Sequence, residues 1–246
     1  MSAWSFQNDD EDYDFRFMPE LVPIKTMMLF SIEGNIGSGK STLLKELKTK
    51  INKDNLSVCF VEEPVDIWDS IKDKNGNNML TKYYGDQKKY AFSFQMMAYI
   101  SRLSLLKKAI SEKYDIIITE RSIFTDCNVF AKMLYDNGTI EDVEYSIYKK
   151  WFDEFLTELP EINIIYIKTD PKIAHERIKK RKRTGEDIPL EYLENCHTYH
   201  ENWLENDKKK MVIDANIDRE LPENKNVYEK WLDDIKNHII TTFENQ

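Results

Sequence analysis

The stretch Gly34-Asn35-Ile36-Gly37-Ser38-Gly39-Lys40-Ser41-Thr42 combines a lysine, three glycines and a run of hydroxyls at the spacing G-x-x-x-x-G-K-S/T. Glycines at such positions let backbone N–H groups turn inward around an anion, where a Cβ would obstruct the approach. Lys40 supplies a point charge for the β- and γ-phosphates of a nucleoside triphosphate, and the Ser41 hydroxyl is placed to meet Mg2+. Two further polar groups follow apolar runs, Glu62-Glu63-Pro64 and Glu120-Arg121-Ser122, and a basic cluster runs from Arg177 to Arg183. Phosphoryl transfer to a hydroxyl needs an oriented acceptor, a metal ion and cations on the transferring group. Glu63 is the candidate base for the acceptor hydroxyl. Glu120 is a candidate second Mg2+ contact alongside Ser41, and Arg121 and the 177–183 cluster are candidate cationic clamps.

Elements that can hold these groups together are legible around them. Met27 to Glu33 is mostly apolar and reads as a buried strand, and Leu43, Leu44, Leu47 and Ile51 recur at helical spacing after the loop. The loop therefore opens a helix whose N-terminus favours anions. Further strands are expected at 57–61, 115–119, 162–167 and 211–214. Helices are expected at about 86–113, 123–136, 140–157, from Asp170-Pro171 into the basic cluster, 190–207 and 225–243. Residues 69–85 are polar, contain Gly76 and Gly85, and read as an irregular insert. Alternating strands and helices imply an α/β fold with a five-stranded parallel sheet wrapped on both faces. In such sheets ligands bind outside the carboxyl ends of the strands. Three strand ends then deliver Lys40, Glu63, Glu120 and Arg121 to one edge.

The chain of 246 residues, 41% hydrophobic, is long enough to bury one sizeable core. Residues 26–246 are expected to form a single domain, preceded by a flexible acidic arm at 1–25 with scattered aromatics. A net charge of −9 argues against nucleic acid as the main partner. Cys59, Cys127 and Cys196 form no C-x-x-C and suit a reducing compartment. Cys196, His197 and His200 share a helix, but no second ligand pair accompanies them for zinc. No apolar run approaches a membrane span, and the acidic N-terminus is unlike a signal or transit peptide. The expected compartment is the cytosol.

These motifs, taken in order, resemble those of the deoxyribonucleoside kinases, the family of deoxycytidine, deoxyguanosine and related thymidine kinases. The resemblance rests on Ile32-Glu33 with the glycine-rich loop, Glu63-Pro64-Val65 with Trp68, and Phe92-Ser93-Phe94-Gln95. It continues through Glu120-Arg121-Ser122 with Asp126, the arginine-rich segment with Gly185-Glu186, and Ile188-Pro189-Leu190-Glu191-Tyr192-Leu193. It implies a P-loop kinase fold with a mobile arginine-rich lid, ATP as donor and a deoxyribonucleoside as acceptor. By it, Glu63 is the general base for the 5′-hydroxyl and Arg121 steadies the 5′-oxygen and the phosphoryl group. Gln95 pairs with the base edge, Trp68, Phe94 and Phe130 wall the base, and Tyr84 with Glu186 holds the 3′-hydroxyl. Arg177, Arg181 and Arg183 fall on the lid, and Asp214-Ala215-Asn216 resembles the loop that touches the donor's base. The lid is shortened between Arg183 and Pro189, where Thr184-Gly185 replaces part of an acidic stretch common in the family. Equivalent helices to 86–113 and 140–157 form a homodimer in the family, so a homodimer is expected.

Base preference is argued from two positions. Arg102 lies two helical turns after Gln95, on the same face, and Asp126 follows the third strand. An Arg–Asp pair there is a fixed donor–acceptor array with no room for a 5-methyl group. The pair resembles that of family members acting on deoxyadenosine, deoxyguanosine or deoxycytidine, whereas thymidine-accepting members usually have smaller or apolar residues there, so the resemblance implies those acceptors ahead of thymidine. Two rival readings are a thymidylate-type monophosphate kinase, which would need extra cations for the acceptor's phosphate, and a non-catalytic subunit, which would be expected to have lost Lys40, Glu63 or Arg121.

Overall fold

The computed structural model describes residues 27–51, 56–181, 188–207, 209–219 and 221–246. The acidic arm at 1–25, Arg183 and Glu186 lie outside them. In chain order the elements are β1 (Met28–Glu33), α1 (Lys40–Ile51), β2 (Val58–Val61), α2 (Val65–Ser70), α3 (Met79–Gly85), α4 (Gln87–Ser111) and β3 (Ile116–Glu120). Then come α5 (Ile123–Thr125), a π-helical turn (Asp126–Ala131), α6 (Lys132–Asp136), α7 (Asp142–Leu156), β4 (Ile162–Lys168), α8 (Pro171–Arg181) and α9 (Leu190–Leu204). β5 (Met211–Asp214), a short 3-10 turn (Pro222–Asn224) and α10 (Lys225–Glu244) follow.

The five strands pair in the order β2-β3-β1-β4-β5, all parallel. A parallel strand covered on both faces reads as a continuous apolar run, which is why Met28 to Phe30 and Ile116 to Ile118 do not alternate with polar residues, although Ser31 breaks the run in β1. Their side chains still alternate in direction. Phe30, Ile32, Ile116, Ile118, Ile165 and Ile167 face Leu43, Leu44 and Leu47 of α1 and Leu232, Ile235 and Ile239 of α10. Leu29 and Ile117 point the other way, onto Leu106 and Ala109 of α4. β1 is central, so its carboxyl end lies where the chain has passed to both sides of the sheet. That crevice is where an open α/β sheet takes its ligand.

Two segments differ from their sequence reading. The insert at 69–85 contains α3 and the end of α2. The Asn78 side chain caps α3 by accepting from Thr81 N–H at 2.8 Å, and Asp73 Oδ1 accepts from the N–H groups of Asn75 and Asn77 to close the preceding turn. Low apolar content hid a helix held by capping. The helix expected over 123–136 is interrupted by the π turn, a distortion that apolar spacing does not report.

The glycine-rich loop is packed under α8. Gly37 has φ +78°, and a Cβ there would lie 2.5 Å from the Ala174 carbonyl oxygen and 2.9 Å from Ile178 Cγ1. Gly37→Ala is therefore expected to cost about 1–3 kcal/mol in backbone strain alone and to weaken ATP binding. A melting temperature and an ATP-induced shift equal to those of the unaltered protein would contradict this.

Candidate active site

A cavity of about 650 Å3 opens at the carboxyl ends of β1, β2 and β3. Its floor is the glycine-rich loop. Asn35 shapes the loop twice over: its Oδ1 accepts from Ile36 N–H at 2.8 Å, and its Nδ2 donates to the Leu193 carbonyl of α9 at 2.8 Å. Lys40 Nζ turns back to the Asn35 carbonyl at 2.8 Å and Ser38 Oγ at 3.5 Å. Burial lowers the Lys40 amine to about 7, helped by the positive charge of Arg121 and opposed by Glu120, Glu63 and Glu33. A bound polyphosphate would reverse that balance in favour of the ammonium form. Ser41 Oγ donates to Glu120 Oε1 at 2.6 Å. The hydroxyl and the carboxylate, 79 residues apart, thus present hard oxygen donors side by side, a set suited to Mg2+ with phosphates completing its shell.

The ends of β2 and β3 bring the acceptor groups together. Arg121 Nη1 donates to Glu63 Oε1 at 2.5 Å, and Arg102 Nη2 reaches the same oxygen at 3.3 Å. Burial would raise the Glu63 carboxyl, but Arg121 and Arg102 outweigh it and hold the group well below the usual carboxylate range. Arg102 also donates through Nε to Asp126 Oδ2 at 2.9 Å and through Nη1 to the Glu120 carbonyl at 2.7 Å. All of its nitrogens are thereby engaged, and the Arg102–Asp126 pair is buried. The Arg121 guanidinium sits 5.3 Å over the Phe130 ring. Asp126 and Phe130 both line the cavity from the π turn.

The far wall is aromatic. Trp68 and Phe94 meet edge to face at 5.6 Å, and Trp68 Nε1 donates to Ser101 Oγ at 2.9 Å. Gln95 is buried, and its Oε1 has no hydrogen-bond partner among the described residues. Tyr84 lines this end too. Tyr83, which the sequence reading missed, stacks on Phe94 at 4.5 Å, and its hydroxyl lies 3.0 Å from that of Tyr192, another lining residue. Recognising α3 would have been the signal for it.

At the opposite end, Arg177 donates to the carbonyls of Ser38 (3.2 Å), Ala215 (2.8 Å) and Ile217 (2.7 Å). It ties the phosphate loop to the segment after β5. Arg181 and Asn216 line the cavity here. Asn216 Oδ1 accepts from Asp170 N–H at 2.7 Å, and Asp214 is exposed and accepts from Asn216 N–H at 3.2 Å. Arg219, Tyr228 and Trp231 also line this end. The aromatic pair sits one helical turn apart on α10, a spacing that reads equally well as core.

A parallel sheet with this loop at its mouth, and a half-buried carboxylate–arginine pair facing it, defines a P-loop kinase with a second pocket for its acceptor. The comparisons narrow the class. The family model for deoxynucleoside kinase matches residues 30–240. A probable deoxycytidine kinase of fowlpox virus is 36% identical over 224 residues, covering 88% of this chain and 90% of the relative. Deoxycytidine kinase 2 of Gallus gallus is 33% identical over 246 residues, covering 87% and 91%, and the mitochondrial deoxyguanosine kinase of Xenopus laevis is 30% identical over 223 residues, covering 79% and 83%. The chain belongs to the deoxynucleoside kinase family. It is a phosphotransferase that takes its phosphoryl group from ATP, and neither rival reading is favoured.

Proposed function

We propose that this kinase phosphorylates the 5′-hydroxyl of deoxyadenosine, deoxyguanosine or deoxycytidine in preference to thymidine, within nucleotide salvage. The observation that carries the reading is Arg102, which joins the base end of the cavity to the reacting end through Asp126 and Glu63. Trp68, Phe94 and Phe130 enclose the base. Gln95 hydrogen-bonds its edge, and the uncompensated buried Oε1 favours a base that offers an N–H. Tyr84, with Glu186, holds the 3′-hydroxyl.

Glu63 receives the 5′-hydroxyl proton as the oxygen attacks the γ-phosphorus, and the bond from that phosphorus to the β,γ-bridging oxygen breaks to release ADP. Arg121, already on Glu63, stabilises the charge that develops on the transferring group. Lys40 and the loop N–H groups from Gly34 through Thr42 bind the phosphates, Arg177, Arg181 and Arg183 enclose them, and Asp214 and Asn216 border the donor's base. Ser41 and Glu120 would hold Mg2+, which when bound neutralises phosphate charge.

The working unit is a homodimer with a single catalytic domain at 26–246, and residues 1–25 form an appended acidic arm. Support for the dimer comes from α4 and α7, which expose Ile100, Val143, Ile147 and Trp151. Among the described residues no helix is long and apolar enough to cross a membrane, and we place the enzyme in the cytoplasm on its reduced cysteines.

The test is ATP-dependent phosphorylation of the four deoxynucleosides and their monophosphates in parallel. Turnover is expected on the purine nucleosides or deoxycytidine, with little on thymidine. Turnover confined to monophosphates, or thymidine as the best acceptor, would overturn the reading.

A further inference from the structure

Glu33 is the last residue of β1 and is fully buried, yet no step above uses it. A carboxylate taken out of water costs several kcal/mol unless other donors replace its hydration. Here the replacements among the described residues are all hydroxyls. Ser31 Oγ and Ser122 Oγ each donate to Oε1 at 2.6 Å, and Thr125 Oγ1 donates to Oε2. Ser31 is a neighbour on the same face of β1. Ser122 and Thr125 come from the turn after β3 and from α5, 89 and 92 residues away.

That turn carries Arg121 in an unusual backbone. Its φ is +60°, a left-handed conformation that costs a residue with a side chain about 1–3 kcal/mol and persists only where its surroundings over-determine it. The surroundings are two consecutive residues of β1. The Ile32 carbonyl accepts from Arg121 N–H at 3.0 Å, and the Glu33 carboxylate holds the next residue, Ser122. From this backbone the guanidinium reaches Glu63 at 2.5 Å. A glutamine at 33 would present one acceptor oxygen, so a hydroxyl on the other side would have to turn round and accept from the amide instead of donating to a charged oxygen.

We propose that Glu33 is a positioning residue that locks the left-handed backbone of Arg121 and so sets where its guanidinium meets the transferring phosphoryl group. The inference rests on the reading of Arg121 as that clamp. It acts through Arg121 and touches neither substrate.

The test is a double-mutant cycle of Glu33→Gln with Arg121→Ala, reading kcat and both KM values on the best of the four deoxynucleosides. Arg121→Ala is expected to lower kcat by about 100-fold or more. Glu33→Gln is expected to lower kcat by about 10-fold or more, with each KM within about threefold, and the double variant to be no worse than Arg121→Ala. Loss that multiplies in the double variant, or unchanged kcat in Glu33→Gln, overturns the inference and leaves the clamp intact. An unaffected Arg121→Ala overturns clamp and inference together. Should Glu33→Gln not fold, Ser122→Ala, which leaves the carboxylate two hydroxyls, enters the same cycle and is judged the same way.

Discussion

Glu63→Gln is expected to lower kcat for deoxynucleoside phosphorylation by about 10²–10⁴-fold, the range for removing a positioned general base. ATP binding should stay within a few-fold, because Glu63 makes no contact with the phosphate loop in the hydrogen bonds it accepts from Arg121 and Arg102. Glutamine keeps the shape and one acceptor oxygen for Arg121 but cannot take a proton. The pH dependence follows from the direction of the pKa. Arg121 and Arg102 hold the Glu63 carboxyl below its ordinary value, so it is ionised throughout the range from mildly acid to alkaline pH. The rate of the unaltered enzyme should therefore show no acid limb between about pH 5.5 and 7 from this group. Steady-state rates across that range, for both proteins, check both statements. A glutamine variant that retains its rate would remove Glu63 from the chemistry.

The second large effect concerns which base is accepted. Arg102→Met together with Asp126→Ala is expected to raise kcat/KM for thymidine relative to deoxycytidine by about tenfold or more, the scale on which pocket room for one methyl group discriminates. Both partners must go. Arg102→Met alone strands a buried carboxylate, which typically costs about 3–5 kcal/mol of stability, and would confuse unfolding with selectivity. The ratio is the quantity to read, because Arg102 also touches Glu63 at 3.3 Å and its loss will slow every substrate. Should the ratio stay where it is, the pair braces α4 against the π turn and does not select the base.

What the sequence made legible was what local chemistry determines. The apolar runs ending in Glu33, Val61 and Glu120 had only one way to be buried, and the parallel sheet followed with strand limits close to those observed. The phosphate loop was legible because its glycines and lysine serve one function at fixed spacing. Tyr83 was not, because α3 is stabilised by the Asn78 cap and by packing on Phe94, neither of which appears as apolar periodicity. The role of Glu33 is not legible in the sequence, since its partners Ser122 and Thr125 become neighbours only when β1 and β3 pair. The basic neighbours of Arg177 point to a phosphate clamp, and its bonds to the Ser38, Ala215 and Ile217 carbonyls give it a bracing task beside that proposal. A sequence shows charge, and only the fold shows what has already claimed it.

The π turn at Asp126–Ala131 carries an evolutionary consequence. Such a turn holds one residue more than the α-helical turn it replaces, so in genetic terms it is the mark of a single inserted codon. In an uninterrupted helix the counterpart of Phe130 would stand three positions after Asp126, about 60° around the axis and still on the same face. The extra residue is taken up as a bulge, which leaves both side chains on the cavity wall. In a helix that kept α winding, the same codon would turn everything beyond it by about 100°, so the bulge is where this wall can change length without turning away.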